Sequence, residues 1–141
     1  MPEIKTFREL GINDELQKAC DNLQWKEPTA IQILSIPPAL EGYIIYLIYR
    51  TLGRNLVALA ETGSGKTGAY ALPIIQKLMR DPHPFFALVL APTRELAAQV
   101  QAQFNALGKI VGLSTVLLVG GVPITQQADL MKISPPHVII G

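Results

Sequence analysis

Apolar positions along this chain switch between helical and strand-like spacing several times. Within Asp14 to Leu23, the residues Leu16, Ala19, Cys20 and Leu23 fall on one helical face, and Asn13 is placed to cap the first turn. Pro28 breaks the chain, and Thr29 is the expected cap of a second helix running through Ile31 and Leu34. Asn55 to Ala60 is short and continuously apolar, as a buried strand should be. Helical spacing returns from Tyr70 to Arg80 and is stopped by Asp81-Pro82-His83-Pro84. Phe86 to Leu90 predicts a second strand, and Arg94 to Leu107 a further helix with Gly108 as its terminator. Ser114 to Val119 and Val138 to Ile140 complete the strands, while residues 1–11 read as an exposed lead-in carrying Phe7. Strands alternating with helices of about 10–15 residues predict an α/β fold, a parallel sheet with flanking helices.

Composition narrows this picture. With 141 residues the chain is long enough for one domain with a real core. It is 49% apolar with a net charge of +1, which excludes a disordered chain and a basic nucleic-acid tail. Nucleic-acid binding must then be local and geometric. Cys20 is the only cysteine, so an internal disulfide and a cysteine-rich zinc site are excluded. The sequence opens with no charged leader and cleavable apolar region, which leads us to expect a cytosolic or nuclear protein. The apolar run Tyr43 to Tyr49, bounded by Glu41 and Arg50, is far shorter than the roughly 20 residues of a membrane span, so no membrane partner is expected.

The chemistry concentrates in Ala60-Glu61-Thr62-Gly63-Ser64-Gly65-Lys66-Thr67. Gly63 and Gly65 permit a sharp turn and let a phosphate approach the backbone amides. Lys66 is suited to the β- and γ-phosphates and the Thr67 hydroxyl to Mg²⁺. A strand before and a helix from Gly68 onward give the setting that a phosphate-binding loop requires. A Gly/Ser linker that happens to contain Lys-Thr would lack those flanks. The loop alone implies a nucleoside triphosphate; it leaves kinase, GTPase, transporter ATPase and helicase open.

Further motifs separate these. Phe7 stands 17 residues before Gln24-Trp25-Lys26-Glu27-Pro28-Thr29-Ala30-Ile31-Gln32. Ala91-Pro92-Thr93-Arg94-Glu95-Leu96-Ala97 follows the second strand, and Gly120-Gly121 follows the third. In order and spacing, these with Ala60 to Thr67 resemble the first half of the DEAD-box RNA helicase core. The stretch around Trp25 is similar to the family's Q motif, with Gln24-Trp25 where Gly-Phe is usual. Ala60 in place of the first loop glycine is the family's habit. Ala19-Cys20-Asp21, Trp25 and Ala60-Glu61 resemble most the nucleolar DEAD-box proteins that process pre-ribosomal RNA.

The resemblance implies a RecA-like P-loop NTPase domain binding ATP, Mg²⁺ and RNA. Residues 1–32 would form an N-terminal flank and Q motif, and 33–141 part of the first RecA-like domain. Phe7, Trp25, Thr29, Gln32 and Ala60 to Thr67 would contact nucleotide. Lys66 and Thr67 would serve catalysis, Thr67 as metal ligand. Pro92, Thr93, Arg94, Gly120 and Gly121 would contact RNA. Each has a plainer reading. Gln32 pairs with an adenine edge or is a solvated helix glutamine. Phe7 stacks on adenine or packs a loose N-terminus on the core. Thr93 and Arg94 meet an RNA phosphate, or they are an Arg94–Glu95 surface pair or a simple helix cap. Gly120-Gly121 admits a sugar-phosphate chain or is a bare turn. His83 and His137 flank prolines without metal-ligand partners and read as loop residues.

The chain ends at Gly141, ahead of the family's Asp-Glu-Ala-Asp and Ser-Ala-Thr segments and its second domain. We therefore expect an incomplete C-terminal side, no turnover from this chain alone, and an uncovered edge on the phosphate-loop strand. Tyr43 to Gly53 has no counterpart in the family and reads as retained intron sequence or a mis-set splice junction, with a genuine insertion second. The resemblance further implies a nuclear, nucleolar location and pre-ribosomal protein partners, with no oligomer expected. A short isoform that binds ATP or a partner without catalysis is the alternative reading.

Overall fold

The computed structural model describes residues 6–42, 44–45 and 55–141. Most of the insertion anticipated at 43–53 therefore lies outside the described residues. Among the described residues five α-helices form: α1 Asp14–Asn22, α2 Ala30–Leu40, α3 Lys66–Arg80, α4 Arg94–Gly108 and α5 Ile124–Ile133. Five short strands accompany them among the same residues: β1 Ile44–Ile45, β2 Asn55–Leu56, β3 Ala87–Val89, β4 Thr115–Leu117 and β5 Val138–Ile140. The expected parallel sheet with flanking helices is present, with strand order β3-β5-β4 and both pairings parallel.

Local chemistry explains the helix starts. Asn13 caps α1 by accepting from Leu16 N at 2.9 Å, and Thr93 caps α4 by accepting from Leu96 N at 3.2 Å. The core gathers Leu16 of α1, Ile36 of α2, Leu72 and Ile75 of α3, Phe104 and Leu107 of α4, and Val138 and Ile140 of β5. The neutral Gln76 is also buried, and it ties the N-terminal segment down by accepting from Asn13 N and donating to Gly11 O, each at 2.8 Å.

Four local expectations need correction. The strand drawn over 55–60 is confined to Asn55–Leu56, and it pairs with β1 rather than with the three-stranded sheet. Val57 and Leu59 beyond it are exposed, Leu59 at 90%, because no neighbouring strand covers them among the described residues. Helix α3 begins at Lys66, earlier than the apolar spacing suggested, since Gly65 at φ +87° serves as its cap. Gly108 does not terminate α4 through a left-handed backbone: its φ is −87°, and a 3₁₀ turn continues through Val111 to Gly112 at φ +70°. Gly108 is needed instead for space, because a Cβ there would run into Leu113 Cβ. Helix α5 was not anticipated at all. It buries no residue, so its apolar positions Ile124 and Ile133 form no core-facing stripe that a sequence would display.

Candidate functional site

The loop between β2 and α3 folds around its own lysine. Gly63 at φ +81° and Gly65 at φ +87° adopt left-handed conformations that side-chain-bearing residues avoid. Ser64 closes the turn by donating from N and Oγ to Glu61 O, at 3.3 and 2.6 Å. Lys66 Nζ donates to the carbonyls of Ala60 at 2.5 Å and Glu61 at 2.6 Å. An ammonium has three donors, so one remains, and the two carbonyl bonds hold the charge over the loop's concave side. Thr67 follows in the first turn of α3 and is half-buried. Its side chain is hydrogen-bonded with Tyr70, whose phenol is pushed above its ordinary range by burial and pulled back in part by that bond.

Helix α2 reaches this loop through Gln32. The side chain is 3% exposed, accepts from Thr29 N at 2.9 Å and donates to Gly65 O at 3.0 Å. Sequence positions 33 residues apart are thereby joined by one amide. The solvated reading of Gln32 does not hold; the buried amide is satisfied at both ends, as burial demands. Gly65 and Gly68 make room for it: a Cβ at Gly65 would meet Gln32 Nε2 at 2.7 Å and Thr29 Oγ1 at 2.9 Å. A Cβ at Gly68 would meet Gln32 Nε2 and Trp25 Cζ3, both at 2.7 Å. Trp25 thus wedges onto the first turn of α3. Phe7 is fully buried with its ring stacked on Trp25 at 6.4 Å between centroids, so its core-packing reading is the one realised here. As placed, Phe7 offers no open face to a base.

A second cluster forms at the strand ends. Thr93 and Arg94 open α4 directly after β3, and Pro92 before them is exposed. The Arg94 guanidinium lies across the Gly120–Gly121 turn: a Cβ at Gly121 would sit 3.3 Å from one of its nitrogens, and at Gly120 3.6 Å. Gly121 has φ +90°, so glycine is required there by its backbone. No ion pair engages Arg94 among the described residues, which leaves the Glu95 pairing unrealised. The sequence reading missed Gln127, whose amide binds the residues on either side of the two glycines. It also undervalued His137, which occupies a loop as expected yet accepts at Nδ1 from Ser114 N at 3.0 Å. That bond ties the starts of β4 and β5.

No group of three His, Cys, Asp or Glu side chains able to hold a metal occurs among the described residues. Thr67 fits a Mg²⁺ that arrives with a nucleotide, since that ion takes few protein ligands and completes its sphere with phosphate and water. No helix among the described residues is long and apolar enough to cross a membrane.

Comparison with known proteins bears on this geometry. A family model described as DEAD/DEAH box helicase matches residues 29–141. The chain is 49% identical over 138 residues to the human "Probable ATP-dependent RNA helicase DDX47", covering 98% of this chain and 28% of that protein. It is 48% identical over 136 residues to "ATP-dependent rRNA helicase rrp3" of Schizosaccharomyces pombe, covering 96% of this chain and 27% of that protein. The chain therefore spans a little over a quarter of the curated relatives it matches. Among solved structures it superposes on the RNA-helicase Prp28 from Chaetomium thermophilum bound to ADP, with TM-score 0.73 and 31% identity over 95% of this chain and 31% of that one. It also superposes on S. cerevisiae Dbp5 bound to RNA and ADP BeF3, with TM-score 0.71 and 28% identity over 97% of this chain and 32% of that one.

Proposed function

This chain belongs to the DEAD/DEAH box helicase family, and from that membership we propose that it supplies the ATP-binding and part of the RNA-binding surface of an ATP-dependent RNA helicase. The observation behind the reading is the junction of Gln32 with Gly65 in the phosphate loop. One side chain touches both the segment that would hold adenine and the loop that would hold phosphates. Gln32 has one N–H and one lone pair left, which is what an adenine edge needs. Because it is 3% exposed, the cover around it must open for the base to enter.

Lys66 would exchange the Ala60 and Glu61 carbonyls for the β- and γ-phosphates, and the amides from Gly63 to Thr67 would face the same anion. Thr67 would hold Mg²⁺ in part, and the ion would supply charge neutralisation at the phosphates when bound. Pro92, Thr93, Arg94, Gly120 and Gly121 would meet the RNA backbone, giving affinity with little sequence preference. Remodelling of ribosomal RNA, pre-ribosomal partners and a nucleolar location belong to the same proposal, supported by the rRNA helicases among the relatives.

Nucleotide choice tests it. ATP is expected to bind at least about tenfold more tightly than GTP, the discrimination of one bidentate base contact, and Gln32→Ala should erode that preference. Equal affinity of the parent chain for ATP and GTP would overturn the role given to Gln32.

A further inference from the structure

We propose that Gln127 is a positioning residue for RNA binding: its amide clips the Gly120–Gly121 turn into the shape against which Arg94 rests. The inference relies on the reading of Arg94 and the two glycines as RNA contacts. Gln127 Oε1 accepts from Val119 N at 3.0 Å, and its Nε2 donates to Val119 O at 3.3 Å and Val122 O at 3.0 Å. All its bonds go to the two residues that bracket the glycines, so one side chain closes the turn from both sides.

Helix α5 has no buried residue, and Ile124 and Ile133 point to solvent. Packing therefore does not fix the start of α5 on β4; the Gln127 amide does. The bonds are half-open to water, where a neutral hydrogen bond adds little to global stability. What they do fix is geometry. Within the clip, the N–H groups of Gly120 and Gly121 have no partner among the described residues, and both glycines are exposed. Adjacent free N–H groups beside a guanidinium make a concavity suited to a phosphate oxygen. Without the clip, the left-handed Gly121 and the seat of Arg94 would relax together.

The test uses the full chain and a fluorescently labelled single-stranded oligouridine, with binding followed by anisotropy across a salt series. Gln127→Met removes all three bonds at similar size and no charge. It should weaken RNA binding about tenfold and, because Arg94 loses its seat, lower the salt slope by about 0.7, the increment of one phosphate contact on a single strand. Arg94→Met should lower the slope equally, and ATP affinity should stay unchanged in both. In the parent, the Gly120 and Gly121 amide resonances should shift when RNA is added; in Gln127→Met they should not. If Gln127→Met unfolds, Gln127→Asn decides, because it keeps a neutral amide but is one methylene too short to reach Val119 and Val122 together; an intermediate loss of RNA affinity is then expected. Parental RNA affinity and slope in folded Gln127 variants, with loss in Arg94→Met, would overturn the role of Gln127 and leave the RNA reading intact. Parental binding in Arg94→Met would overturn the RNA reading itself, and the proposal with it.

Discussion

Gly68→Ala pits helix propensity against the wedge that joins α2 to the phosphate loop. In the first turn of α3 the exchange should by itself stabilise by up to about 1 kcal/mol. The new Cβ, however, would stand 2.7 Å from Trp25 Cζ3 and 2.7 Å from Gln32 Nε2, a distance that side chains do not tolerate. Shifting the indole is an overpacking cost of about 1–3 kcal/mol. Shifting the amide breaks its 3.0 Å bond to Gly65 O and leaves a buried donor unpaired, again about 1–3 kcal/mol. The clash wins. We expect net destabilisation of about 2–3 kcal/mol, or roughly 6–15 °C in thermal midpoint for a chain of this size. Circular dichroism melts of the parent, Gly68→Ala, Trp25→Ala and the double variant form the assay. Removing the indole should relieve at least about 1 kcal/mol of the cost, because the two residues touch. A Gly68→Ala variant as stable as the parent, or one whose cost is independent of residue 25, would refute the reasoning.

Gly108→Ala should also destabilise despite its helical setting, and Leu113→Ala should not rescue it, because the nearest atom is Leu113 Cβ itself; thermal melts of the single and double variants check this. Burial, and secondarily the Asp21 charge, pushes the Cys20 thiol from its ordinary 9.0 up to about 12. Its folded form stays protonated while an unfolded thiol ionises, so the associated stability is intact below pH 9 and falls between pH 9 and 12 by about 1.4 kcal/mol per unit. Urea titrations at pH 8 and pH 10 should show that loss in the parent and a smaller one in Cys20→Ala; identical pH dependence would count against it. Val57, Leu59, Leu88 and Leu90 are exposed apolar side chains on β2, β3 and their extensions, so the chain should bind ANS and self-associate at high concentration. A monodisperse sample with no ANS signal would contradict this.

The phosphate loop was legible in the sequence because its demands are local: two glycines for left-handed backbone, then lysine and threonine at fixed spacing. The caps Asn13 and Thr93 were legible for the same reason, each bonding a residue three positions on. Long-range partnerships were not. Gln32 could be marked as a base reader from its motif, but nothing in the sequence shows that its amide ends on Gly65. Phe7 stood at the right spacing for a nucleotide contact, yet burial against Trp25 took it into the core. Gly108 carried the signature of a helix terminator while serving a steric role toward Leu113, five positions away. Gln127 and α5 left no apolar stripe, and only Pro123 at the helix start could have signalled them. The strand over 57–60 failed for a tertiary reason: apolar continuity predicts a strand, but pairing makes one, and these residues have no ladder partner among the described residues.

The central claim is that the loop around Lys66 binds the phosphates of ATP, and calorimetric titration of the chain with ATP and Mg²⁺ tests it most directly. Saturable one-to-one binding is predicted, lost in Lys66→Ala while that variant keeps the parent's circular dichroism spectrum. Binding of ATP by Lys66→Ala with the parent's affinity would contradict the account.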